Sequence, residues 1–340
     1  MGRRLKVSPD LLTKSWDPFP VMGFAVDLCE SKLNRTGRCV SLPDCRFTRG
    51  TREGECADGF GVCCVYEARD SVATTLSNNS YFVQPRYPRP YAGGVNVSLT
   101  VLLPSFTCQL RLELEEFRLL PPVAGRCVND SLRVFVNGSD SYVPELCGHN
   151  AGQHVVLHFP ESEERSLLSL KVSAPRAGFQ RSWSVRIVLY SCGSAKLAQP
   201  GCLQHHGGCR GSFRSFAYSE ESLHYVRALS YAVCIARPTW LQAISLKIRT
   251  VSRYPAESPS GRGGDVGDNG GPQCRSNFIQ LPPGYDSRRG LAAPVRICGG
   301  NRTVVLHMSV QGPLVFYIVS SNDLDQRTQF RVDYSLYPCS

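Results

Sequence analysis

Apolar and polar residues alternate with a period of two through most of this chain. Val95, Val97, Leu99 and Val101 alternate with Asn96, Ser98 and Thr100. The same pattern runs through Leu110, Leu112 and Leu114, through Leu132, Val134 and Val136, and through Val155, Leu157 and Phe159. It returns at Leu168, Leu170 and Val172, and again at Trp183, Val185, Ile187 and Leu189. A period of two puts every apolar side chain of a segment on one face. These segments, separated by Gly, Pro, Asn and Asp, predict an antiparallel β-sandwich over residues 77–192. The pattern resumes over 202–339, at Tyr231–Ile235, Ile244–Ile248, Val304–Met308, Leu314–Val319 and Phe330–Leu336, and predicts a second, divergent sandwich. Helical periodicity is nearly absent; Glu161 to Leu168 is its best candidate. The glycine-rich stretch Pro255 to Gln273 reads as a surface loop.

The two halves close alike. W-S-V-R-I-V-L-Y-S-C ends at Cys192 and F-R-V-D-Y-S-L-Y-P-C ends at Cys339, which marks an internal repeat of low identity. A different regime precedes them. Cys29, Cys39, Cys45, Cys56, Cys63 and Cys64 crowd one short segment. So short a module (residues 29–66) lacks an apolar core and needs disulfides worth about 2–4 kcal/mol each. Adjacent Cys63 and Cys64 must bond to different partners, which makes this a branch point of a small disulfide-rich knot. The connectivity within 29–64 stays open.

Sixteen cysteines in 340 residues exclude an ordinary cytosolic enzyme. Their spacings are not those of zinc sites, which bring two ligands from one turn at gaps of about two to four residues. Asn34, Asn78, Asn96, Asn129, Asn137 and Asn301 each begin an N-x-S/T sequon. Disulfides and sequons together point to a secreted, extracellular glycoprotein. Residues 1–28 do not supply an evident leader, because Asp10, Lys14, Asp17 and two prolines interrupt any apolar run. Secretion then implies a fragment or a misassigned first exon. Lys6 stands where a myristoylation motif has Ser or Thr. No apolar run reaches the ~20 residues of a membrane span. The net charge is +10. It is spread along the chain and carried mainly by arginine, without the clustered arm of a nucleic-acid binder.

Residues Tyr81 to Tyr91 (Y-F-V-Q-P-R-Y-P-R-P-Y), then L-R-L-E-L-E-E-F, C-V-N-D-S-L and L-C-G-H-N-A-G-Q-H resemble a CUB domain. The ending G-F-G-V-C-C at Gly59–Cys64 resembles the cysteine-rich module of secreted CUB-domain proteins of arthropods. The second half, from G-C-L-Q-H-H at Cys202, is similar to the partner CUB-like domain of that family, with the likeness stronger in the first half. The resemblance implies jelly-roll-like sandwiches, an extracellular setting and no catalysis. It implies the bridges Cys127–Cys147 and Cys274–Cys298. The internal repeat adds Cys108–Cys192, and the remaining cysteines allow Cys202–Cys234 and Cys209–Cys339.

Many CUB domains hold Ca2+ through a Glu and two Asp residues. Here Glu115 or Glu116 and Asp130 stand at matching positions, with a third acid needed from Glu161, Glu163 or Glu164. The second half has Asn277 in place of the Asp. A hard cation needs 6–8 oxygens, so these acids would have to converge. His154 and His158 lie on one strand face about 13 Å apart, too far to share a metal, and read as surface histidines. His205 and His206 are expected on a turn. Enzymatic signatures such as G-x-S-x-G and H-E-x-x-H are absent. The expectation is a non-catalytic extracellular protein-binding module. A polyanion or heparan-like glycan binder is the alternative, and a cofactor of an extracellular proteolytic cascade, suggested by the clip-like knot, is a further one. Arg288-Arg289 offers a dibasic site on an exposed stretch.

Overall fold

The computed structural model describes residues 28–69, 71–73, 78–219, 224–252, 277–288, 290–293, 296–298, 301–322 and 328–338. The glycine-rich stretch 255–273 lies outside them, as do residues 1–27. The chain divides into two compact units, Met1–Val65 and Tyr66–Ser340.

The first unit contains β1 (Leu28–Glu30), β2 (Thr36–Val40), α1 (Leu42–Phe47), β3 (Thr51–Cys56) and β4 (Gly61–Val65), in the sheet order β1-β2-β4-β3. Consecutive residues of a strand point to opposite faces. Cys63 and Cys64 on β4 therefore reach Cys29 and Cys45 respectively, while Cys39 joins Cys56. A Cβ at Gly61 would stand 2.8 Å from Cys39 Sγ and 2.9 Å from Cys56 Sγ, so the bridge itself demands glycine there. Helix α1 is too short to show a helical period. Ser41 caps it, its Oγ accepting from the Asp44 N–H at 3.2 Å, and a proline occupies its first turn. Buried Arg35 pairs with Glu53, which ties the loop after β1 to β3.

The second unit holds both sandwiches. The first is built from β5 (Glu67–Ala68), β6 (Ser71–Ala73), β7 (Ser80–Val83), β8 (Val95–Leu102), β9 (Thr107–Arg118), β10 (Ser131–Val136), β11 (Ser139–Asp140), β12 (Gln153–His158), β13 (Leu167–Ala174) and β14 (Ser182–Ser191). One sheet runs β11-β10-β13-β8-β6 and the other β12-β9-β14-β7-β5. The alternating apolar residues of β8, β9, β13 and β14 meet between the sheets, with Leu99, Leu112, Leu170, Trp183 and Val185 all buried. Each such side chain contributes about 1.5–3 kcal/mol. On β9 the alternation breaks after Leu114: the register with β14 shifts there, Glu115 is the extra residue, and Phe117 returns to the core.

The second sandwich comprises β15 (Cys202–His206), β16 (Arg210–Arg214), β17 (Ser230–Ile235), β18 (Ala243–Ser252), β19 (Phe278–Gln280), β20 (Tyr285–Asp286), β21 (Leu291–Ala292), β22 (Arg296–Cys298), β23 (Arg302–Ser309), β24 (Leu314–Val319) and β25 (Thr328–Tyr337). Its sheets run β15-β17-β24-β19-β22 and β16-β25-β18-β23-β20-β21. The internal repeat is a repeat of topology. Order β10-β13-β8-β6 matches β19-β24-β17-β15, and β12-β9-β14-β7 matches β23-β18-β25-β16. Even the edges agree, because β6 pairs with β8 and β15 with β17 in parallel. These pairs and the parallel pair β5–β7 depart from a purely antiparallel expectation, and all sit at sheet edges.

Three local expectations are corrected. Glu161 to Leu168 is a loop leading into β13, not a helix. His154 is buried, not on the surface. His205 and His206 belong to β15, not to a turn.

Candidate functional site

The end of the first sandwich where the acids were expected to hold a cation is occupied by a guanidinium. Asp130 Oδ2 accepts from Arg181 Nε at 2.7 Å and Oδ1 accepts from Arg181 Nη2 at 2.9 Å. The Leu120 backbone N–H donates to Oδ2 at 2.8 Å. Both side chains are fully buried. Arg181 also donates to Phe179 O at 3.2 Å, and its backbone pairs with Tyr91. One bidentate pair therefore draws together the segments before β8, after β9, before β10 and before β14.

Calcium does not fit these residues. Asp130 has no oxygen free of the fixed positive charge, and a dication beside Arg181 would be repelled. Glu115 Oε1 forms an ion pair with Arg186 Nε at 3.0 Å, and Glu116 Oε1 accepts from the Tyr87 hydroxyl at 3.4 Å. Glu161, Glu163 and Glu164 are exposed, in a loop whose Ser162 carbonyl accepts from Phe106 N at the opposite end of β9. Twelve residues of strand separate the two ends, roughly 35–40 Å. In the second sandwich, Asn277 is buried and clasps Ser321, accepting from its N–H at 3.0 Å and donating to its Oγ at 3.2 Å. Among the described residues no three His, Cys, Asp or Glu side chains gather as a metal site.

The histidines act elsewhere. Edge strand β12 of the first sandwich meets edge strand β15 of the second, and side chains serve the backbone across the gap. His154 Nε2 accepts from the His205 N–H at 2.8 Å, and Arg111 Nη1 donates to His205 O at 3.1 Å. His158 Nδ1 faces the Gln109 amide at 3.1 Å, which leaves its Nε2–H to donate to Cys202 O at 3.0 Å. Gln109 further bonds both the N–H and the carbonyl of Ala198, at 2.7 and 2.6 Å. The His154 and His206 rings meet edge to face, 4.8 Å between centroids. Burial, and next the nearby Arg111, hold His154 well below the ordinary histidine range and lower His206 to about 4. Both imidazoles are thus neutral at physiological pH. The outer backbone of β12 is closed by Tyr142, whose hydroxyl donates to Val156 O and accepts from His158 N–H.

Sequence reasoning missed Gln109, Arg111, Gln153 and Arg181. The only signal for the junction is that Q-H-V-V-L-H keeps polar residues at both ends of a strand with a buried middle. Arg181 carries no local signal; only the burial of Asp130 requires such a partner.

The first sandwich holds the bridges Cys108–Cys192 and Cys127–Cys147, and the second holds Cys202–Cys234. Cys298 is bridged as well, while Cys274 and Cys339 lie outside the described residues. Leu336 N donates to Cys209 O at 2.7 Å, which brings the end of β25 alongside Cys209. Sequon residues Asn34, Asn78, Asn96, Asn137 and Asn301 are exposed and Asn129 is half-buried. Arg288 is exposed in the turn after β20; Arg289 lies outside the described residues.

No curated protein matches the chain. Among solved structures it is similar to the CUB1-EGF-CUB2 domains of rat MASP-1, at 12% identity over 78% of this chain and 100% of that chain, with a TM-score of 0.30. The corresponding domains of human MASP-1/3 give 12% identity, coverages of 76% and 100%, and a TM-score of 0.28. The full extracellular region of zebrafish Gpr126/Adgrg6 gives 10% identity, coverages of 77% and 36%, and a TM-score of 0.29. Likenesses this distant carry no weight for function. The family match falls on the second sandwich, where the sequence resemblance was the weaker: residues 199–336 match the animal CUB domain.

Proposed function

We propose that this chain is an extracellular, non-catalytic binding module that works through two CUB-type sandwiches. The observation that carries this reading is the animal CUB domain match over residues 199–336, whose strand order the first sandwich repeats. The disulfides across the described residues support an oxidising compartment, because such bridges do not persist in a reducing cytosol. The ending Gly59–Cys64 supports a kinship with arthropod secreted CUB proteins. Secretion of the full chain behind a heterologous leader, followed by thiol counting in denaturant, tests the compartment. The expected result is a glycosylated product without free thiols; retention in the cell with many reactive thiols would overturn it. Saturable binding of that product to an extracellular protein, competed by unlabelled chain, tests the binding role.

A second reading is binding to a sulfated polysaccharide, favoured by the net charge of +10. It predicts retention on heparin that weakens steeply with salt. Passage through the column at low salt would discard it.

A further inference from the structure

The knot exposes its bulkiest apolar side chains: Leu28, Leu33, Phe47 and Phe60 all reach solvent. Phe47, the last residue of α1, is 88% exposed, more than any other large apolar side chain among the described residues. Three disulfides take the place of an apolar core in this unit. An exposed helix-end position accepts any polar residue, so packing does not require an aromatic ring there. Arginines gather around it. The register sets Arg38 of β2 and Arg52 of β3 on either side of Cys64 of β4. Directly paired residues share a sheet face, and this is the face from which Cys64 reaches Cys45 of α1. Arg38 and Arg52 therefore flank the helix. Arg46 precedes Phe47 in α1, and Arg49 lies two residues beyond it.

These charges are available. Arg46 and Arg49 are exposed and Arg38 is half-buried, and among the described residues their guanidinium groups have no hydrogen-bond or ion-pair partner. Arg52 pairs with exposed Glu55 at 2.8 Å. The acid of α1, Asp44, is engaged by the Ser41 hydroxyl, which donates to its Oδ2 at 2.6 Å. The backbone of Arg49 adds an independent sign. It lies in the left-handed region, at φ 59°. Its N–H donates to Arg46 O at 3.1 Å and the Gly50 N–H donates to Cys45 O at 2.8 Å, which makes Arg49 the C′ residue of α1. Glycine is usual at C′ because a Cβ is strained there. Here the glycine stands one residue later, and an arginine holds the strained position beside Phe47 against local stability.

A protruding aromatic ring among unpaired guanidinium groups matches a surface that is apolar beneath and anionic on top. Arginine lays its apolar stem along hydrocarbon and leaves its charge at the headgroups. A protein partner needs a preformed pocket for Phe47, whereas a lipid surface needs only room for the ring between headgroups. No helix among the described residues is long and apolar enough to cross a membrane, so the contact is peripheral. We propose that the α1 tip of the knot, Phe47 with Arg38, Arg46 and Arg49, docks on a lipid surface rich in anionic headgroups. Phe47 inserts at the boundary between headgroups and acyl chains, and the arginines meet the phosphates. Each arginine contributes about fivefold in affinity and the ring about tenfold, which gives weak, reversible contact and not an anchor. This inference goes beyond the binding role of the sandwiches and does not rest on it.

The test is co-sedimentation of the full secreted chain with vesicles of phosphatidylcholine alone and of an equal mixture with phosphatidylglycerol, at low and physiological salt. The chain should bind the mixed vesicles, more weakly as salt rises, and leave the neutral ones. Phe47→Ser should weaken binding about tenfold. Arg46→Gln/Arg49→Gln should weaken it roughly 25-fold and flatten the salt dependence. Arg49→Gly should bind about fivefold more weakly yet melt no lower than the parent, because it relieves the backbone. Phe60→Ser, 71% exposed at the opposite end of β3, should bind like the parent. The tryptophan emission of Phe47→Trp should shift to the blue on mixed vesicles, which reports insertion directly. Absence of binding, equal binding to both vesicles, or binding unchanged in Phe47→Ser would overturn the proposal. Retention on heparin that matches vesicle binding, lost in the arginine variants and kept in Phe47→Ser, would assign the arginines to a soluble polyanion and overturn the lipid assignment. Each of these failures leaves the CUB reading of the sandwiches in place.

Discussion

Removing one partner of the buried Asp130–Arg181 pair should destabilise the second unit far more than removing both. Arg181→Met leaves the Asp130 carboxylate, fully buried, with only the Leu120 N–H at 2.8 Å to satisfy it. Asp130→Asn leaves a buried guanidinium without its counter-charge. Either change should cost about 3–5 kcal/mol, because an uncompensated buried charge remains. The double variant removes both charges and keeps much of the volume, so it should lose well under the sum of the two. A coupling of about 2 kcal/mol or more is the expected signature of contacting groups. The assay is equilibrium denaturation of the four proteins with disulfides intact, read by the tryptophan signal; Trp183 is buried two residues from Arg181. Millimolar Ca2+ or a chelator should leave the parent's midpoint unchanged. Single losses below about 1 kcal/mol that add without coupling would refute the reasoning. So would a Ca2+-dependent gain in stability, which would mean that Asp130 is available to a cation.

Acid should loosen the junction. Free of the fold, His206 titrates near 6.5 and in the fold near 4, so its contribution is complete above pH 6.5, falls as pH drops, and is lost by about 3 kcal/mol below pH 4. His154 shifts in the same direction, and protonation of its Nε2 removes the bond from His205 N–H. Denaturation midpoints between pH 7.5 and 4 should show this slope, and His154→Gln/His206→Gln should flatten it. In the first unit, Gly61→Ala should cost roughly 1–3 kcal/mol by driving a methyl into two sulfurs, measured as a lower melting temperature or as loss of secretion. Cys108→Ser/Cys192→Ser opens a loop of 84 residues and should cost about 2–5 kcal/mol, visible in urea denaturation of the non-reduced proteins.

What the chain discloses before folding is the set of faces. Leu110, Leu112 and Leu114 announce β9, and Trp183 to Leu189 announces β14, because burial of one face imposes the period of two. Even the bulge is legible afterwards, since L-x-L-x-L must skip a residue to reach Phe117. The short edge strands β5, β6 and β15 were not legible: too few residues show a period, and parallel pairing leaves no mark in one strand's sequence. Helix α1 fails for the same reason of length. The site was harder still. Asp130 stood out through the resemblance to CUB domains, but its partner lies 51 residues away. Periodicity reports which face of a strand is buried and is silent on what covers its edge. That is why His154 read as a surface residue and proved to be a junction residue.

The same distinction explains why the junction, and not either core, is the conditional part of the second unit. Each sandwich buries its own apolar face between its own sheets, and that contribution does not depend on pH. The direct hydrogen bonds between β12 and β15 join His154 to His205 N–H, His158 to Cys202 O and the Gln153 and Gln204 side chains to each other, each worth about 1 kcal/mol net. The one that His154 Nε2 accepts requires an imidazole that burial keeps uncharged. Charge on either ring would meet Arg111 at close range, which makes protonation and apposition of the strands mutually exclusive to the extent of the pKa shift.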